Sequence, residues 1–338
     1  MASKQATGPG HDRIDQDNTA PGPLEMDGLP MPRRIWAICA ISFGTALFVV
    51  DGAIANVALP TIARDLSVSN GAVTSVVTVY QLVMVMVLLP FATIGDRIGH
   101  RRLYQIGQVI FFLASAAALL IDSFWHLIAV RVLQSFGAGI ALAVSAAMLR
   151  TIYPAKSLGS GLGINSVIVA TSYAVAPTLG GFIVEHLDWR WVFVAAAPLA
   201  LISLAIGRFL PEPEPRSGRV DTISGLWSAL TALLLIGGLT LATHDMIVPG
   251  FAAIVAGVIS AFLLTRRENG KERPILPVDL MRRPVIGLSV LAAVCAFVAS
   301  AMLIVALPFR FEQGMGYAPD EVGLLIAPFP LTMLVVAP

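Results

Sequence analysis

Charge is scarce in this chain: Asp, Glu, Lys and Arg make up 13% of its 338 residues, whereas 57% are hydrophobic. That is far from the balance of a soluble domain, and a water-exposed fold could not enclose so much apolar surface, so lipid is the expected solvent. Cysteine is nearly absent. Cys39 and Cys295 are the only two, both lie inside long apolar runs, and no disulfide is expected between them. GxxxxGK(S/T), HExxH and GxSxG patterns are all missing, which argues against ATP-driven pumping and hydrolysis within this chain. His244 with Asp245, and Glu185 with His186, lack metal-ligand spacing, so no metal or cofactor is expected. An enzyme is not expected either, nor a nucleic-acid partner. Residues 1–34 are polar and rich in Gly, Pro and Asp, with no apolar core for a cleaved signal peptide.

What is present is a series of ten apolar runs, near 35–59, 71–91, 103–121, 125–149, 161–184, 191–210, 223–242, 247–265, 284–308 and 322–338. Each approaches the roughly 20 residues needed to cross ~30 Å of hydrocarbon. With the N-terminus inside, eighteen of the 22 Lys and Arg residues fall in cytoplasmic segments. Three (Arg64, Arg190, Arg310) fall outside and Arg131 falls within a span. The opposite topology would violate the positive-inside rule. Trp36, Trp125, Trp189 and Trp191 fall at span ends, as an interfacial aromatic belt requires.

Residues 1–34 read as a disordered cytoplasmic tail. Residues 35–210 hold six spans, and residues 211–265 hold a Pro/Glu turn and two more. Residues 266–283, with six cations, read as a cytoplasmic linker, and residues 284–338 carry the last two spans. The final run stops at Pro338 with no flanking charge, which reads as a truncated product.

Ionisable side chains inside a bilayer are costly and point to function. Asp51 in the first span and Arg131 in the fourth lie at similar depths, roughly 13 and 10 Å from the outer face at about 1.5 Å per residue. They are expected neighbours, because Gly44, Ala55 and Ala58 leave room for a helix to approach. One reading is a titratable carboxylate tuned by a guanidinium; the alternatives are a structural ion pair or an Arg131 that snorkels outward. Gln134, Ser135, Ala138 and Ser145 continue from Arg131 as a small, polar stripe suited to a watered cavity. Asn56, Gln81, Gln134 and Ser135 are the cavity-lining candidates. In span 5, Pro177 with Gly180 and Gly181 predicts a bend or a close helix contact, and a plain packing kink is the alternative. The loop Gly95-Asp96-Arg97-Ile98-Gly99-His100-Arg101-Arg102 is a tight, cation-rich turn between spans 2 and 3. Asp96 ends a helix where the dipole disfavours an anion, so it should face a cation or another helix N-terminus; a solvated carboxylate is the alternative.

Together these stretches resemble the major facilitator superfamily, and within it the fourteen-span drug:proton antiporters. Residues 51–60 resemble the first-span signature and residues 95–102 the loop signature between spans 2 and 3. Arg131-Val132-Leu133-Gln134 with Gly137 and Gly139 resembles the fourth-span motif. Pro177-Thr178-Leu179-Gly180-Gly181 followed by Trp189-Arg190-Trp191-Val192-Phe193 resembles the antiporter motif and its exit. Leu307-Pro308, Gln313 and residues 316–319, 323 and 328 resemble spans 7 and 8 of fourteen-span members. Ser135 stands where the family carries glycine, as do Ala92 and Ala176.

The resemblance implies an all-α integral membrane protein with about ten transmembrane helices in this chain. These are a six-helix N-terminal bundle, two inserted helices and the start of a second bundle, working by alternating access. It implies proton coupling by Asp51 and Arg131, and a conformational latch of Gly95, Asp96, Arg97, Gly99, Arg101 and Arg102. It further implies an interface at Pro177, Gly180 and Gly181 that limits proton leak. The expected partners are an amphipathic small-molecule substrate, protons and the lipid bilayer. The expected site is a bacterial-type inner (plasma) membrane, with the N-terminus cytoplasmic. The expected activity is proton-coupled export of drugs or toxic small molecules. A proton-linked metabolite transporter and a truncated, non-transporting remnant are the alternatives.

Overall fold

The computed structural model describes residues 28–212, 221–243, 246–269, 271 and 283–311, and residues 315, 316, 325, 328 and 332 singly. Every regular element among them is a helix. The long helices are α1 (Arg33–Asp65), α2 (Asn70–Ile98), α3 (His100–Ala117), α4 (Phe124–Ile152), α5 (Leu158–His186), α6 (Ala197–Ile206), α7 (Thr222–Thr243), α8 (Ile247–Glu268) and α9 (Pro284–Phe309). In hydrocarbon a helix satisfies each backbone N–H and C=O within its own segment, which is why runs of this composition adopt no other form. Eight helical stretches among the described residues are long and apolar enough to cross a membrane, from Arg33–Asp65 through Ile247–Glu268. They coincide with the first eight predicted runs, and α9 coincides with the ninth. The run at 322–338 lies outside the described residues, as do residues 1–27 of the expected tail.

Local chemistry sets several boundaries. Ser69 caps α2 by accepting from the Ala72 N–H, and Ser123 caps α4 by accepting from the His126 N–H. Asp221 caps α7 in the same way, accepting from the Ser224 N–H at 2.9 Å. Only Gly99 separates α2 from α3, at φ +105°, a conformation open to glycine and strained for residues with a Cβ.

The sixth run departs from expectation. It is not one continuous α-helix but a 3-10 turn at Trp189–Phe193, the ten-residue α6, and a second 3-10 turn at Gly207–Phe209. Pro198 explains the restart. It has no N–H to continue a preceding helix, and its fixed φ suits the first turn of a new one. The aromatic belt needs a correction as well. Trp36, Trp125 and Trp191 are exposed, but Trp189 is buried, and its indole N–H donates to Asp65 Oδ2 at 2.8 Å.

Helices α1–α6 pack into one bundle. α4 lies against α2 and α3, while α1 lies against α5 and α6. The hairpin of α7 and α8 packs on the outside of α2, where Gly225 rests on Pro90. Two groups of buried apolar side chains fill the bundle. One includes Tyr80, Tyr104, Phe111 and Ala138, and the other includes Ile54, Val76, Trp189 and Phe193.

Candidate functional site

Asp51 of α1 and Arg131 of α4 meet inside the bundle, with Arg131 Nη1 donating to Asp51 Oδ2 at 3.0 Å and both side chains at 0% exposure. Such burial is tolerable because the guanidinium is held on several sides. Nη1 also donates to Gln134 Oε1, one helical turn further along α4, at 3.0 Å. Gln134 Nε2 in turn donates to Ser115 Oγ on α3 and to the Phe193 carbonyl, each at 2.9 Å. The Arg131 Cζ lies 4.1 Å from the centroid of the Tyr80 ring and 5.2 Å from that of Phe193. One charge pair therefore ties together α1, α2, α3, α4 and the turn before α6. It sits where the two groups of core side chains meet, since Tyr80 belongs to one and Phe193 to the other.

Snorkelling of Arg131 is excluded by this geometry, and the watered stripe needs correcting. Gln134 and Ser135, both read as cavity-lining, are fully enclosed, and Ala138 and Ser145 are buried too. Gln134 is occupied by the network above. Ser135, on the opposite side of the same turn, donates to the Tyr80 carbonyl of α2. These small residues give α4 close packing against two helices and leave no open space. Asn56 and Gln81 are exposed, and Asn56 donates to the Ala53 carbonyl of its own helix at 3.1 Å. Elsewhere on α1, Thr45 donates to Asn165 Oδ1 of α5 at 3.1 Å, a polar contact between helices that the sequence did not single out.

The stretch read as a loop is helical on both sides of Gly99, because α2 runs to Ile98 and α3 starts at His100, and its residues separate by environment. Asp96 lies one turn before His100, the first residue of α3, and its Oδ1 is 3.1 Å from His100 Nε2. The carboxylate thus pairs with a half-buried imidazole across the break between α2 and α3. Gly95 is pressed against α4: a Cβ there would come within 2.5 Å of Val144 Cγ1. Arg102 Nε lies 3.1 Å from Glu212 Oε1, beyond the end of the α6 segment, while Arg97 is exposed and Arg101 half-buried. In α5 the helix runs unbroken through Pro177. Gly180 packs on α1, where a Cβ would lie 2.9 Å from Ile54 Cγ1 and 3.1 Å from the Ile54 carbonyl oxygen. Gly181 has nothing within 4 Å of that position. The expected close contact therefore belongs to one of the paired glycines.

Residues 266–283 also need revision at their start, because α8 continues to Glu268. Glu268 is 2% exposed and accepts from Ser224 of α7 at 2.6 Å. Lys271 Nζ donates to Asp221, Glu268 and Ser224, and Arg267 Nε reaches Ser224 Oγ at 3.2 Å. The hydrogen bond from Lys271, with those from Ser224, holds the Asp221 carboxyl well below the usual carboxylate range. Burial opposes the charge on Lys271, yet its hydrogen bonds to Asp221 and Glu268 carry it above the usual lysine value. Glu268 and Lys271, three residues apart across the end of α8, were the available signal for this cluster. Tyr80, Ser115 and Phe193 carried no such signal, because none belongs to a charge pattern.

Residues 41–338 match the family described as the Major Facilitator Superfamily. The chain belongs to that superfamily. Among curated members it is 41% identical over 319 residues to the uncharacterized transporter YebQ of Escherichia coli, covering 93% of this chain and 70% of that protein. It is 28% identical over 312 residues to the riboflavin transporter RibZ of Clostridioides difficile, covering 91% and 67%. It is 29% identical over 302 residues to the multidrug efflux pump LfrA of Mycolicibacterium smegmatis, covering 88% and 60%. The chain is thus a multi-pass helical membrane protein of the major facilitator type, a family of transporters for small molecules.

Proposed function

We propose that the protein is a proton-coupled exporter of amphipathic small molecules of the fourteen-span drug:proton antiporter kind, with Asp51 and Arg131 as its coupling pair. The enclosed ion pair between α1 and α4 carries this reading. A carboxylate at membrane depth, paired to a single guanidinium on another helix, loses the charge attraction of that pairing when it takes up a proton. Proton uptake is thereby linked to the relation between two helices, which is what alternating access requires. The Gly95–Arg102 loop, with Asp96, Arg97, Gly99 and Arg101, is the proposed latch between states. Pro177, Gly180 and Gly181 form the proposed leak-limiting interface. The N-terminus lies on the cytoplasmic side of a bacterial-type inner membrane. Residues 35–210 form the first bundle, 211–265 an inserted hairpin, and residues from 284 onward begin the second bundle. The multidrug pump LfrA supports export, and the largely apolar helix faces suit amphipathic substrates.

A second reading is proton-linked transport of a metabolite. RibZ is named for riboflavin, and the Thr45–Asn165 contact offers neutral hydrogen-bonding groups that a polar heterocycle could use. Reconstituted vesicles decide between them. An imposed proton gradient should drive efflux of a cationic dye by the unsubstituted protein, and Asp51→Asn should abolish it. Unchanged gradient-driven efflux in Asp51→Asn would overturn the coupling role. Competition by flavins and not by dyes would favour the second reading.

A further inference from the structure

The Arg131 guanidinium makes its hydrogen bonds to Asp51 and Gln134 through one nitrogen, Nη1; Nε and Nη2 are buried and have no acceptor among the described residues. What it has instead is two ring faces, Tyr80 at 4.1 Å and Phe193 at 5.2 Å. The Tyr80 hydroxyl lies beside the Asp51 carboxylate, but neither it nor Asp51 Oδ1 completes a hydrogen bond of ordinary geometry. Ser135 ties α4 to the α2 backbone at this point by donating to the Tyr80 carbonyl. Resting on the coupling role assigned above, we propose that Tyr80 and Phe193 form an aromatic cradle that keeps Arg131 charged and in place whenever Asp51 is neutral. Tyr80 is thus a positioning residue for the proton cycle.

The physical reason is a difference between two states. An aromatic face carries negative charge density that attracts a guanidinium and repels a carboxylate. While Asp51 is ionised, the rings act on a pair of opposite charges and the two effects partly cancel. Once Asp51 takes a proton, only the attraction is left. A buried guanidinium that has lost its counter-ion would otherwise be strongly unfavourable. The cradle therefore favours the protonated state and allows the cycle to run without ejecting Arg131 from the bundle. The charged or titratable groups facing the pair are Tyr80 from α2, Arg131 from α4 and, near Tyr80, Tyr173 from α5. The side of α3 contributes only the Ser115 hydroxyl through Gln134, and the turn before α6 contributes the Phe193 ring and carbonyl.

The test uses the purified chain in lipid, titrated by infrared difference spectroscopy. The protonated-carboxyl band of Asp51 is assigned by its loss in Asp51→Asn. Tyr80→Phe keeps the ring face and removes the hydroxyl; Tyr80→Leu removes both. The midpoint for Tyr80→Leu should lie about one pH unit below that of Tyr80→Phe, a tenfold loss of proton affinity. Phe193→Leu should move in the same direction by less, and it provides the measurement if Tyr80→Leu does not fold. Coincident midpoints for the Leu and Phe variants, or an unmoved Phe193→Leu, would overturn the cradle while leaving the coupling role standing. Absence of any Asp51-dependent band in the unsubstituted protein would overturn the coupling role itself, and the cradle with it.

Discussion

Gly107 of α3 and Gly137 of α4 face one another so closely that a Cβ built on either would come within 2.6 Å of the other's carbonyl oxygen. Backbone meets backbone there, and no side chain can turn aside to make room. Small residues at helix crossings matter more in lipid than in water, because packing replaces the hydrophobic drive between helices. Gly107→Ala and Gly137→Ala should each destabilise the bundle by about 1–3 kcal/mol, as overpacking does. Thermal unfolding in detergent reads this directly, and an unchanged melting temperature in both variants would contradict the contact.

The two glycines of α5 should respond in opposite ways. Gly180→Ala forces a methyl against the Ile54 side chain and carbonyl, so α1 or α5 must shift and stability should fall. Gly181→Ala meets nothing within 4 Å and should gain roughly 0.5–1 kcal/mol from helix propensity alone. Parallel unfolding curves for the two variants provide the comparison, and equal losses would show that Gly181 is also packed.

Removing one member of the buried pair should be worse than removing both charges. Arg131→Gln strands an enclosed carboxylate beside Gln134 and should cost about 3–5 kcal/mol. Asp51→Asn leaves the guanidinium with its ring contacts and Gln134, so its penalty should be smaller. The double variant should recover part of the loss, with a coupling energy of about 0.5–3 kcal/mol. Denaturant unfolding of the four proteins gives that coupling, and strict additivity would mean that the pair contributes nothing specific.

The α7–α8 junction should show two pH limits. Asp221 is held below its usual value of 3.8, so its contribution to stability is present above that value and is lost as the pH falls toward the lower folded value. Lys271 is raised above its usual 10.5, so its contribution is present below 10.5 and is lost as the pH rises through the folded value. Asp221→Asn should remove the acid limb while leaving the midrange plateau lower and flat. Melting temperature against pH for the two proteins checks this. An acid limb of the same size in Asp221→Asn would place its origin elsewhere.

By itself, the sequence determined that the chain belongs in lipid, where eight of the membrane-length helices among the described residues lie, and that Asp51 and Arg131 stand apart from everything around them. Each follows from local composition: an apolar run of about twenty residues has one stable backbone form in hydrocarbon, and a charge within it is conspicuous. The glycines of residues 95–102 marked a sharp turn for the same reason, but the structure alone narrowed it to the single residue Gly99. The tertiary structure alone decided which neutral residues surround the charges. Tyr80, Ser115 and Phe193 come from three different segments; nothing in the stretches of Tyr80 and Ser115 marks them, and Phe193 closes a family-like stretch that gives no sign of contact with Arg131. Gln134 and Ser135 looked suited to a cavity because small polar residues serve equally well beside water or in a tight helix crossing. The difference depends on rotation and approach of α2, α3 and α4. Those are set by the summed packing of many side chains and by contacts such as Gly107 with Gly137, which no single run of residues contains.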